Sequence, residues 1–165
     1  MPVTAPEIFE LCGIKRNDFN NWVARGLLAD EQIPEAKIGV PREMTLKLSK
    51  RLALMGLLTG AGFSATDASD YSAKLLQHYE TTGHLHMVGF VVTGLGQELA
   101  PIIVDAGISA AKFAAALAVS GEDAEGDDEW TDTPDIHAKT IPHRIIRIIA
   151  PGPVLAAIKE RFSAT

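Results

Sequence analysis

Residues 15–25 crowd together Lys15, Arg16, Asn17, Asn20, Asn21 and Arg25. These side chains are the donor types that read nucleic acid. Asn pairs with an adenine edge through two hydrogen bonds, and Arg pairs with guanine in the same way. Lys and the free N–H groups of a helix start hold phosphates. A second set of cations, Lys37, Arg42, Lys47 and Arg51, follows within one small domain's length and adds candidate phosphate contacts. The competing reading of both sets is an ordinary solvated helix face.

Other reactive types are sparse. His84 and His86 are two residues apart on an expected strand and so share a face. A metal would need a third ligand such as His78, His137 or His143, and a pair of surface histidines is the plainer reading. The single cysteine, Cys12, excludes a disulfide framework and a thiolate zinc finger, and it reads as a small buried hydrophobe. Gly94-Leu95-Gly96 fits a hairpin turn better than a dinucleotide loop. No Ser/His/Asp set, phosphate-binding glycine loop or paired carboxylates stand out. The expectation is therefore no enzyme, no metal and no cofactor.

These residues must be held by helices. Pro6 to Cys12 has helical spacing of Ile8, Leu11 and Cys12, and Gly13 ends it. Asn17 to Leu27 is expected as the next helix, with Asn17 or Asp18 as its cap and Gly26 near its end. Its buried stripe is Phe19, Trp22 and Val23, which leaves the amide and basic groups outside. Ala29 to Pro41 is polar, and Ile33, Ile38 and Val40 are placed to pin a small hairpin. Thr45 to Leu58 is amphipathic, with Leu46, Leu48, Leu52, Met55 and Leu57 inside and Lys47, Lys50 and Arg51 on the polar side. Ser64 caps a helix running to about Tyr79, with Asp67 three residues on as its partner.

After Gly83 the texture changes. His84–Thr93, Leu99–Asp105 and Arg144–Ile149 are rich in Val, Ile and Phe and read as strands. Ser109 to Val119 reads as a buried Ala-rich helix, residues 121–142 as an acidic loop, and Pro153 to Phe162 as a final helix. The fold class is α+β, with one helical module over residues 1–80 and a strand-and-helix module over 81–165 for oligomerisation or sensing.

The run Gly13-Ile-Lys-Arg-Asn-Asp-Phe-Asn-Asn-Trp-Val-Ala-Arg-Gly-Leu-Leu28 resembles the opening of a MerR-type winged helix-turn-helix. In that family a recognition helix ending in Gly-Leu-Leu is followed by a hairpin wing, an Arg, a long helix, and Gly-Phe-Ser opening the next. The resemblance places the wing at Ala29–Pro41, the Arg at Arg42 and the later signature at Gly62-Phe63-Ser64. It covers roughly the first half of the chain. Where the family usually carries an Arg and a Tyr–Tyr pair, this chain has Asn20, Asn21 and Trp22, and no heptad run follows Tyr79. The resemblance implies an N-terminal winged helix-turn-helix that binds double-stranded DNA, in a bacterial or phage transcriptional regulator acting as a homodimer. A role in phage DNA packaging or transposition is a variant of the same chemistry. Two recognition helices meeting successive turns of the major groove would stand about 34 Å apart.

The net charge of −6 at first argues against nucleic acid, but it is unevenly spread. Residues 14–51 hold eight bases against five acids, a local net of +3. Residues 122–135 hold eight acids and no base. This acidic loop, with Trp130 inside it, is either a solvated linker, a phosphate mimic for the basic face, or a contact for a protein partner. The last reading defines the alternative class, a protein-interaction or antitoxin-like module using the acidic loop and the C-terminal strands. Met1–Leu11 has no basic run of the secretory kind, and the uncharged run Leu52–Thr66 is broken by glycines, so a cytoplasmic chain with no membrane partner is expected.

Overall fold

The computed structural model describes residues 2–35, 38–92, 102–104 and 145–164, with residues 91–92, 102–104 and 145–147 described through their backbone. The expected turn at 93–96, the helix at 109–119, the acidic loop at 121–142, Lys37, Trp130, His137 and His143 lie outside the described residues.

Five helices and three strands are described, an α+β arrangement. In chain order they are α1 (Ala5–Cys12), α2 (Arg16–Ala24), α3 (Leu46–Gly60), α4 (Ala65–Thr82), β1 (Met87–Val92), β2 (Ile102–Val104), β3 (Ile145–Ile149) and α5 (Pro151–Ser163). Their contacts divide them into two units, residues 1–83 with 151–165, and residues 84–150. The change of texture after Gly83 thus coincides with a unit boundary. The final helix does not follow the 81–165 grouping, because α5 packs on α3 and α1.

Local chemistry sets the helix ends. Thr4 precedes α1, and both its N–H and its hydroxyl donate to Glu7 Oε2 at 2.8 Å. This Thr-x-x-Glu spacing is a capping box that the sequence reading did not use. Gly13 closes α1 at φ 65, a left-handed conformation that glycine adopts without a Cβ penalty. The Thr45 hydroxyl accepts the Leu48 N–H at 3.2 Å at the start of α3. At α4, Ser64 accepts the Asp67 N–H at 3.2 Å, which is the expected cap, and α4 runs on to a left-handed Gly83.

The start of α2 differs from expectation. Lys15, rather than Asn17 or Asp18, is its N-cap, and no side chain caps it. The reason lies in the turn. Ile14 is buried at 7% exposure, and its N–H donates to the Phe9 carbonyl, so the chain re-enters a helix immediately afterwards. Asp18 and Phe19 then both donate to the Lys15 carbonyl.

One core joins α1, α2 and α3. Ile8, Phe9, Ile14, Phe19, Trp22, Leu28, Leu48, Leu52 and Met55 are all buried in it. Phe9 and Phe19 meet with ring centroids 5.2 Å apart. The expected stripe of α2 therefore holds, and Trp22 is a core residue. α3 is the central helix, packing on α1, α4 and α5. Residues 51–55 of α3 are consecutively buried, so it lacks the single wet face that its charges suggest.

The expected hairpin at 29–41 is not pinned as anticipated. Ile33 packs against the core, but Ile38 and Val40 stand exposed. The antiparallel contact formed nearby is different. Thr4 bridges Glu43, Ala5 N–H donates to the Arg42 carbonyl at 2.8 Å, and Met44 N–H donates to the Val3 carbonyl at 2.8 Å.

In the second unit β1 is the middle strand of a three-stranded sheet, order β2-β1-β3. Both pairings are antiparallel, with Gly89 opposite Ile102 on one side and Ile148 on the other.

Candidate functional site

Helices α1 and α2 are joined by the short Gly13–Lys15 turn, with Ile14 buried inside the turn. Helix α2 buries Phe19 and Trp22 and turns its other side outward. Lys15, Arg16, Asn17, Asn20, Asn21 and Arg25 are all exposed, as the sequence pattern required. Arg16 and Asn20 are one helical turn apart, as are Asn17 and Asn21, so each pair shares a strip of surface. Asp18 lies in the first turn as the one acid of this helix.

The far end of α2 is anchored. Arg25 Nη2 donates to Thr66 Oγ1 at 3.2 Å, and the Ser69 hydroxyl donates to the Leu27 carbonyl. Both bonds run to α4, so α4 fixes the angle at which α2 leaves the core. Arg25 accordingly has a positioning role beside any contact it makes outward.

The second cationic set divides. Arg42 lies half-buried with its guanidinium carbon 5.5 Å from the centre of the Phe19 ring, within cation–π range. Its Nη1 is buried and has no hydrogen-bond partner among the described residues. Lys47 is exposed but pairs with Glu31 at 3.3 Å. Arg51 corrects the sequence reading. It is only 2% exposed, held between helices with Asp30 at 3.6 Å, and it cannot reach a phosphate. Burial lowers its pKa, while Asp30, Glu31 and Asp70 oppose that shift. The sequence reading failed here because it assumed one apolar face for a helix that has neighbours on several sides.

Arg16, Asn20 and Arg42 come together around a groove of about 600 Å³. Phe9 and Phe19 form part of its wall, and Val40, 57% exposed, stands at it. The sequence pattern gave no sign of this groove, because residues 39–42 are brought beside α1 and α2 by the long-range pairing of 42–44 with 3–5 and by the contact of Arg42 with Phe19.

His84 and His86 lie just before β1 rather than on it, both exposed, with ring centroids 6.0 Å apart. Among the described residues no three His, Cys, Asp or Glu side chains are placed to hold a metal ion. Cys12 is half-buried, and desolvation pushes its thiol up to about 12, the behaviour of an inert small hydrophobe. No described helix is long and apolar enough to cross a membrane. No protein-family model, curated protein or solved structure matches the chain.

Proposed function

We propose that this chain is a sequence-specific DNA-binding protein, a bacterial or phage transcriptional regulator acting as a dimer. In this reading residues 1–80 are a winged helix-turn-helix of the MerR type, and α2 enters the major groove of double-stranded DNA. Asn17, Asn20 and Asn21 supply base-edge contacts, and Lys15, Arg16 and Arg42 supply phosphate contacts. The observation that carries the reading is the outward face of the first two turns of α2. A buried Phe19–Trp22 face is backed by an opposite face on which Arg16, Asn17, Asn20 and Asn21 all stand free of core packing. An ordinary wet helix face would not require three exposed amides beside an arginine in the N-terminal two turns, the part of the helix that major-groove readers present to bases.

The test is a double substitution, Arg16→Ala with Asn20→Ala, in the full chain. Both residues are exposed, so the thermal unfolding midpoint should stay within a few degrees of the parent. Affinity for duplex DNA should fall by a factor of about 100, as expected for losing one phosphate or guanine contact and one adenine contact. Unchanged affinity in the double variant would remove α2 from the interface.

A further inference from the structure

We propose that the groove between α1, α2 and residues 39–42 is a binding site for a small aromatic carboxylate. This goes beyond the DNA-binding reading and does not depend on it. Three features carry it. The first is an unanswered donor. Arg42 lines the groove, and its buried Nη1 has no acceptor among the described residues. Buried polar groups are nearly always paired, so Arg42 keeps donor capacity that a small rotation of its guanidinium would offer to a ligand in the groove. The second is a second cation and an amide. Arg16 and Asn20 line the same groove from α2 and are both exposed, so an anion meets two guanidinium groups and one amide. Among the described residues no acid lines the groove.

The third feature is the remainder of the wall, which is apolar. Ala5, Pro6, Phe9 and Pro41 line it, with Phe19 buried beneath at 1% exposure, and Val40 stands largely exposed where a ligand would cover it. A bare phosphate uses only the donors and gains nothing from these groups. A carboxylate on a flat ring uses both, and the volume of about 600 Å³ is of the size that encloses a small organic molecule. Arg42 already lies over the Phe19 ring, which orients the guanidinium and reduces what remains to be ordered on binding.

The experiment titrates the full chain with 1-naphthoate, 1-naphthamide and inorganic phosphate, following the Asn20 side-chain amide by NMR and the heat of binding. Naphthoate is expected to bind at sub-millimolar concentration and to move the Asn20 signal. The uncharged amide and phosphate should each bind at least about tenfold more weakly, since one lacks the charge and the other the ring. Arg42→Met should weaken naphthoate by about tenfold or more, and Arg16→Ala by a smaller factor. Arg16 is exposed at the start of α2, so its variant folds even if Arg42→Met does not. Equal binding of naphthoate and naphthamide overturns the proposal, as does phosphate binding as tightly as naphthoate. So does an absence of naphthoate binding, or binding that neither variant alters.

Discussion

Gly56 of α3 packs closely against Ile14 of the α1–α2 turn. A Cβ on Gly56 would lie 2.9 Å from Ile14 Cγ1 and 3.1 Å from the Cys12 carbonyl oxygen. A glycine inside a helix costs about 1 kcal/mol relative to alanine, so its presence here answers a packing need. The turn that sets the angle between α1 and α2 rests on this bare backbone.

Gly56→Ala should therefore lower stability by about 1 kcal/mol, because overpacking of about 1–3 kcal/mol outweighs the gain in helix propensity. Gly56→Val should cost more, since the Cys12 carbonyl is backbone and yields little. Urea unfolding at neutral pH measures both. A stabilised alanine variant would mean that the contact relaxes freely.

Glu7 links the start of α1 to the far end of the chain. It accepts from Thr4 and from Arg161 of α5. The Thr4 N–H, then the Arg161 guanidinium, then the Thr4 hydroxyl hold its pKa down at about 2, from an ordinary 4.5. A carboxyl depressed in the folded state stabilises the fold above its unfolded pKa and loses that contribution as pH falls. The stability gap between the parent and Glu7→Gln should be full above pH 4.5 and should close as pH falls toward about 2. Urea midpoints measured across that window give the answer, and a gap that does not change with pH contradicts the assignment.

Arg51 is a buried charge whose Nε and Nη1 have no hydrogen-bond partner among the described residues. Removing one member of an ion pair is costly when its partner stays buried, but Asp30 is 55% exposed and regains water, so an apolar side chain of similar length is expected to be neutral or slightly stabilising here. Arg51→Met should thus leave the fold intact, with a urea midpoint at or above that of the parent. It should also leave DNA affinity within about twofold, a difference of only a few tenths of a kcal/mol, since the residue is hidden. A folded Arg51→Met protein with greatly weakened DNA binding would return Arg51 to the interface.

Much of the head was legible because its signals are local. Gly13 and Ser64 mark helix ends through cap chemistry that spans at most four residues, whereas α4 outruns its expected end at Tyr79 to the left-handed Gly83. The Phe19–Trp22 stripe follows from helical period alone. What was missed is non-local. The pairing of residues 3–5 with 42–44 joins segments with no mutual sequence signal, and it creates the groove at Arg42. The return of α5 to α3 and α1 from the other end of the chain is of the same kind. Arg51 was misplaced because periodicity reports one neighbour, whereas α3 has several.

The central claim, that the exposed start of α2 reads DNA, is tested most directly by the affinity of the full chain for duplex DNA across a salt series. The three phosphate contacts per subunit predict that log K falls with log salt at a slope of about −3 per subunit. Between about 50 and 200 mM salt this amounts to a loss of about 60-fold for each bound subunit. The account predicts that steep fall, with one duplex sequence preferred throughout. No binding at about 25 mM salt, or binding that salt does not weaken, would contradict it.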